Sequence, residues 1–240
     1  MSRQNIYDDP RFYDGYTMLR ASGEGLNEPI EHWAIDAMLS PLAGLDVLDV
    51  GCGCGDRTIE YAERGANLVV GIDPSARMLA DAEAHDAVDY QRCFIEDVQF
   101  DEASFDIIVA SMSLHYVENL EALMDRMAHW LRPGGSVVAS VEHPIVSCRA
   151  EQEWCAAGDH WPVDHYNEEG MRQATWFVDY VVRYHRSVSS WVNAVLDAGL
   201  VLTGLAEPYG PGSAGPNVAD AIRRPPILVL RGTRPERRTG

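Results

Sequence analysis

Ten consecutive residues, 47–56 (Val-Leu-Asp-Val-Gly-Cys-Gly-Cys-Gly-Asp), constrain this chain more than any other stretch. Val47, Leu48 and Val50, set off by Gly44, read as a buried parallel strand with Asp49 near its end. Glycine follows at every second position, Gly51, Gly53 and Gly55, and then 57–63 has helical composition. Strand, glycine loop and helix begin a nucleotide-binding βαβ unit, because glycine permits a tight turn and close approach of a ligand to the backbone.

A second strand at 68–73 narrows the ligand. It ends in Asp73, where such units place the acid that binds ribose hydroxyls, about 20 residues beyond the loop. A dinucleotide fingerprint requires glycine or alanine at position 56, and the chain has Asp56. Asp49 and Asp56 flank the loop with negative charge, a poor setting for a pyrophosphate. A cationic nucleoside suits it better. S-adenosylmethionine fits, since it carries a sulfonium and an ammonium and no phosphate.

The run 49–55 resembles motif I of the class I S-adenosylmethionine-dependent methyltransferases, and 71–79 (Gly-Ile-Asp-Pro-Ser-Ala-Arg-Met-Leu) resembles their second motif. Glu96-Asp97-Val98 and 105–109 are similar to the third and fourth, and 131–135 to the turn before the fifth strand. Leu114-His115-Tyr116, Glu142-His143-Pro144 and Tyr184-His185-Arg186 suggest a smaller bacterial group within that family. The resemblance covers roughly residues 40–142 in order and spacing. It implies a Rossmann-like, doubly wound α/β sheet of seven strands, the last one antiparallel and inserted beside the fifth. It implies cofactor contacts from Asp49, Gly51, Cys52, Gly53, Asp73, Pro74 and Met78. It also implies that Asp97 accepts a hydrogen bond from the adenine amino group, with Glu96 as a rival, and that the Val98 amide meets the ring.

Composition agrees and excludes several classes. With 240 residues and 46% hydrophobic content, the chain can bury a full core as one domain. No apolar run approaches the roughly 20 residues of a membrane span, and no signal-peptide pattern opens the sequence. Five cysteines without framework spacing point to a reducing cytoplasm. A net charge of −18 argues against a nucleic-acid partner. The nineteen basic residues are all arginine, which excludes a pyridoxal Schiff base and a P-loop lysine.

Along the chain, the resemblance implies that 1–40 forms an N-terminal lid, with Tyr7, Tyr13 and Tyr16 excluding water from the methyl group. Pro10 and Gly15 should break its first part, leaving 31–39 as the clear helix. Residues 41–142 form the core. Helices are expected at 74–83 and 120–131, the third strand at 90–94 and the fifth at 136–142. The fourth strand, 105–111, delivers Ser111 and His115 to the carboxyl end of the sheet, where doubly wound folds bind ligands. The fifth delivers His143. These two histidines and His185 are the candidate bases for an acceptor that must lose a proton, and for each a structural role competes.

Residues 143–188 read as an inserted cap over the acceptor site, carrying three of the six tryptophans and a run of carboxylates. Aromatic walls with few polar groups suit a small-molecule acceptor. His160, His165 and the carboxylates lack the helical spacing of a metal site, so no metal is expected. Cys52 and Cys54 fit the glycine turn by size and read as non-functional. Residues 189–232 complete the sheet; the loop at 208–216 reads as mobile and 234–240 as a frayed tail. The reaction expected is in-line methyl transfer to an oxygen, nitrogen or carbon nucleophile. A nicotinamide oxidoreductase of the same fold, or an S-adenosylmethionine-binding protein that transfers no methyl, are the rivals. Nothing in the sequence specifies an oligomeric state.

Overall fold

A computed structural model describes residues 3–23, 25–209 and 216–236. Its centre is a seven-stranded sheet of order β3-β2-β1-β4-β5-β9-β8. The parallel strands are β1 (Asp46–Val50), β2 (Leu68–Asp73), β3 (Val88–Arg92), β4 (Phe105–Ala110) and β5 (Leu131–Glu142). A separate hairpin is formed by β6 (Gly170–Trp176) and β7 (Val178–His185). Then β8 (Val201–Ala206) pairs antiparallel with β9 (Ile227–Thr233), and β9 inserts antiparallel beside β5. The expected seven-stranded doubly wound sheet is the fold observed.

The helices are α1 (Pro10–Ser22), α2 (Trp33–Met38), α3 (Asp56–Glu63), α4 (Ala76–Ala80), α5 (Leu120–Trp130), α6 (Pro144–Ser147), α7 (Val188–Asp197) and α8 (Pro216–Arg223). Helix α1 departs from the sequence expectation. Pro10 occupies the first helical turn, where its missing N–H costs nothing, and the Asp9 carboxylate caps the Arg11 amide at 2.9 Å. Gly15 is a close-approach residue, since a Cβ there would stand 2.5 Å from the Phe177 ring. The 31–39 helix is shorter than expected, because a π-helical turn, Asn27–His32, precedes α2. Likewise α4 is one short helix capped by the Ser75 hydroxyl, and β3 begins two residues earlier than its apolar residues suggest. Helix α5 stops at Trp130, and β5 takes in the following 131–135 turn. The expected mobility of the 208–216 loop and fraying of 234–240 concern residues that lie, at 210–215 and 237–240, outside the described residues.

Two apolar layers enclose the sheet. On one face Trp130, Met124, Met127 and Trp191, from α5 and α7, pack on Leu48, Ile108 and Val137. On the other, Tyr61, Ile35 and Ile30 pack on Val47, Val109 and Val138. A third cluster joins Phe12 to Val178 and Val181, with Tyr7, Tyr16, Tyr116 and Trp176 around it, so the N-terminal helix is fastened to the hairpin. Phe12 and Trp176 meet edge to face at 5.1 Å.

Ile108 lies fully buried in the middle of the sheet. Ile108→Ala should cost about 2–5 kcal/mol through lost burial and the cavity left behind. A urea melt should show a lower midpoint with little change in slope.

Candidate active site

The site is built where β1, β2 and β4 end. After Val50 the chain turns through Gly51 and Gly53, both with left-handed backbone (φ +75° and +59°), into α3. A Cβ on Gly51 would lie 2.6 Å from that of Ser113, so the turn and the β4 loop meet only because the residue is glycine. The Gly51 amide donates to the Ile72 carbonyl at 2.8 Å, and the Ser113 hydroxyl to the Val50 carbonyl at 2.7 Å. Asp73 ties two loops: one carboxylate oxygen accepts from the Gly53 amide (3.0 Å) and the other from the Ser75 amide (2.8 Å). Each oxygen keeps a free lone pair for a further donor.

Above this turn is a cavity of about 1140 Å³. Of the residues expected to hold a cofactor, Asp49, Gly51, Cys52, Gly53, Asp73, Pro74, Met78 and Ser111 all line it. Asp97 and Val98 do not. The Asp97 side chain is more than half exposed and pairs with Arg3 at 2.7 Å, while the Val98 carbonyl accepts from Arg126. Glu96, the rival, does reach the wall, beside Phe94 and Ile95. The expectation for Asp97 is thus displaced by an N-terminal arginine, which a motif on the third strand could not disclose.

The roof comes from segments distant in sequence. Residues 3–7, Tyr16 and Arg20 close one side, and Met171, Val182 and Tyr184 of the hairpin another. The N-terminal segment is laced to the β2 loop: Asn5 donates to the Pro74 carbonyl (3.1 Å), and the Ser75 hydroxyl donates to Asp8 (2.7 Å). Tyr13 donates to Asp81. The Tyr7 and Tyr116 rings meet edge to face at 6.4 Å.

The floor is negative. Burial pushes the Asp49 carboxyl up to about 6, against the hydrogen bond donated by the Thr58 hydroxyl (2.7 Å) and the charge of Arg57; Asp73 and Glu31 push it the same way. Burial also raises Asp73, partly offset by the two amides it accepts from. Glu31 is fully buried and accepts from the Ser111 and Ser140 hydroxyls. Among the described residues, Asp49 and Asp73 form no ion pair. Carboxylates held this way are relieved by a cation, and a sulfonium with an ammonium supplies two. The glycine cradle, the free lone pairs of Asp73 and this charge fit S-adenosylmethionine. Cys52 and Cys54 also line the cavity, and burial raises both thiols, so neither is a thiolate at neutral pH.

None of the three expected histidine bases lines the cavity. His115 is buried, its Nδ1 lacks a hydrogen-bond partner among the described residues, and burial with Arg183 and Arg186 lowers its pKa. His143 caps α6, accepting from the Ile145 amide, and its Nε2 lies 2.8 Å from Glu207. His185 is buried between the Ser147 hydroxyl (2.8 Å) and the Tyr166 carbonyl (2.9 Å). The histidine that does line the cavity is His32, at the end of the π-helical turn. Burial first, then Arg57 and Arg20, lower its pKa to about 4. No periodicity or motif marks His32; only the tertiary path of the N-terminal segment carries it there.

Residues 47–135 match the model of a family described as a methyltransferase domain. An S-adenosylmethionine-dependent methyltransferase from Mesorhizobium loti is 34% identical, superposes with a TM-score of 0.82, and is covered completely by 88% of this chain. An uncharacterized protein of Haemophilus influenzae is 32% identical over 97% of this chain and 98% of its own length. A ubiquinone biosynthesis O-methyltransferase of Nitrobacter winogradskyi is 36% identical over 135 residues, 51% of each chain. Among the described residues no helix is long and apolar enough to cross a membrane. With its sheet order, glycine cradle and cation-seeking floor, the chain belongs to the class I S-adenosylmethionine-dependent methyltransferases.

Proposed function

We propose that the chain transfers the methyl group of S-adenosylmethionine to a small, partly apolar acceptor bearing an acidic hydroxyl, inside the roofed cavity. The observation that carries this reading is the cavity itself, which exceeds the roughly 300–1000 Å³ of a typical single-ligand site. The lining includes the cofactor cradle and, besides it, the apolar and aromatic side chains of Tyr7, Tyr16, Tyr116 and Met112. An acceptor must fit beside the cradle, beneath the N-terminal segment and the hairpin. Of the parts expected as lid (1–40) and cap (143–188), residues 3–7, Tyr16, Arg20 and His32 of the first and Met171, Val182 and Tyr184 of the second contribute to that enclosure, while Trp154, Trp161 and Trp176 do not line it.

S-adenosylmethionine supplies a methyl group already activated on sulfur. The chain's task is then to position the acceptor in line and exclude water, and positioning alone can contribute roughly 7–11 kcal/mol. We assign cofactor binding to Asp49, Gly51, Cys52, Gly53, Asp73, Pro74 and Met78, with Glu96 in the place expected for Asp97. In place of the base expected at His115, His143 or His185, His32 orients the acceptor hydroxyl, whose proton leaves to solvent as the oxygen ionises. Held neutral, His32 accepts a hydrogen bond from the acceptor hydroxyl, and the same Arg57 and Arg20 field that lowers its pKa favours the ionised oxygen. The Nitrobacter relative is named for O-methylation, which agrees with an oxygen acceptor.

Incubation with deuterium-methyl S-adenosylmethionine and a bacterial metabolite extract, read by mass spectrometry, should label a small hydroxylated product. His32→Ala should lower that yield at least ~10-fold. Label on protein or nucleic acid alone would contradict the small-molecule reading.

Binding of S-adenosylmethionine should also depend on pH. The cation favours ionised Asp49, whose pKa stands near 6, so affinity should rise from pH 5 to pH 7 by about tenfold and then level. Calorimetry at three pH values checks this; a flat profile would remove Asp49 from the cation's surroundings.

A further inference from the structure

Outside the cavity, three side chains of different donor type converge on one surface loop. The loop is 155–160, Cys-Ala-Ala-Gly-Asp-His, in the segment between α6 and the β6–β7 hairpin. The Cys155 sulfur, an Asp159 carboxylate oxygen and a His160 ring nitrogen all lie within 4.8 Å of one another. Asp159 Oδ1 stands in the middle, 2.8 Å from Cys155 Sγ and 2.7 Å from His160 Nδ1.

The loop holds its shape without a ligand. The Cys155 amide donates to the His160 carbonyl at 3.1 Å, and the Gly158 amide to the Cys155 carbonyl at 2.8 Å. Gly158 takes the left-handed backbone (φ +69°) that this tight turn needs. From α8, Arg223 donates to the Asp159 carbonyl (2.9 Å) and the Gly158 carbonyl (3.3 Å), while its guanidinium stacks 4.0 Å from the Trp154 ring centroid. Trp154 in turn donates to Asp220 at 3.1 Å. The backbone bearing the three donors is thus fixed from both sides, and ordering it on binding costs little.

We propose that Cys155, Asp159 and His160 form a zinc site. Sulfur, nitrogen and carboxylate oxygen together are the donor set of a borderline-soft divalent ion, and they disfavour magnesium and calcium, which take oxygen. Zinc bonds of about 2.0–2.3 Å in a tetrahedron separate ligand atoms by roughly 3.3–3.7 Å. The donors therefore reach the ion by side-chain rotations of well under an ångström along the two short edges. Water fills the fourth position, since these groups face solvent. On binding, the Cys155 thiol releases its proton to solvent and the sulfur–zinc bond forms; the His160 proton now aimed at Asp159 moves to Nε2. None of the three residues lines the methyl-transfer cavity, so the ion is a structural clamp on the loop and not part of the reaction. Helical spacing misses the site because its donors come from one turn of loop.

The test is calorimetry of the full chain with zinc chloride under a non-thiol reductant, paired with cobalt(II) absorption. One equivalent should bind, and Cys155→Ser and His160→Ala should each weaken it at least ~10-fold. Cobalt should give a thiolate charge-transfer band that Cys155→Ser removes. No zinc binding would overturn the proposal. So would unchanged affinity in both variants, which would place the metal on other groups such as Cys52 and Cys54.

Discussion

The double grip of one carboxylate organises this site. Asp73 sits at the end of β2, yet it holds the Gly53 amide of the preceding loop and the Ser75 amide of the following one. Backbone bonds from Gly51 and Cys52 to the Ile72 carbonyl set the turn against β2, and Asp73 adds the tie between the two loops that shapes the cradle. Burying an acid to do this is costly, and its raised pKa records the cost. The two amides recover part of it. A bound cation recovers more, which links the local need of the fold to the charge of its ligand.

That logic extends across the floor. Asp49 and Glu31 are buried and accept hydrogen bonds from the hydroxyls of Thr58, Ser111 and Ser140. Arg3 pairs with Asp97, and Arg57 and Arg64 converge on Asp36. The Arg183–Glu142 pair joins the hairpin to the end of β5, and Arg183 lies 5.1 Å from the Trp176 centroid. The buried carboxylates that line the cavity, Asp49 and Asp73, give it an inward pull on positive charge.

The cofactor half was legible in the sequence because its geometry is local. Alternating glycines, apolar strands of five or six residues and an acid at each strand end determine the turn and the strand order together. The acceptor half was not, because it is assembled from long-range contacts. Pro10 looked like a helix breaker until its place at the first turn of α1 was fixed by the Asp9 cap. His115, His143 and His185 drew attention as chemically capable residues at the correct end of the sheet. Burial then committed each to a structural partner or to none. His32 carried no signal at all, since nothing in 27–38 says that a π-helical turn will aim it into the cavity. Residue chemistry is written along the chain, but access is set by packing.

The central claim is that a carboxylate at the end of β2, and not the one after β3, holds the cofactor. Calorimetric titration of S-adenosylmethionine into Asp73→Asn and Asp97→Asn tests it most directly, with urea melts confirming that both variants remain folded. The account predicts at least ~10-fold weaker binding for Asp73→Asn, the loss of a charge-assisted hydrogen bond, and near-native affinity for Asp97→Asn. Unchanged affinity at Asp73, or a large loss at Asp97, would contradict it.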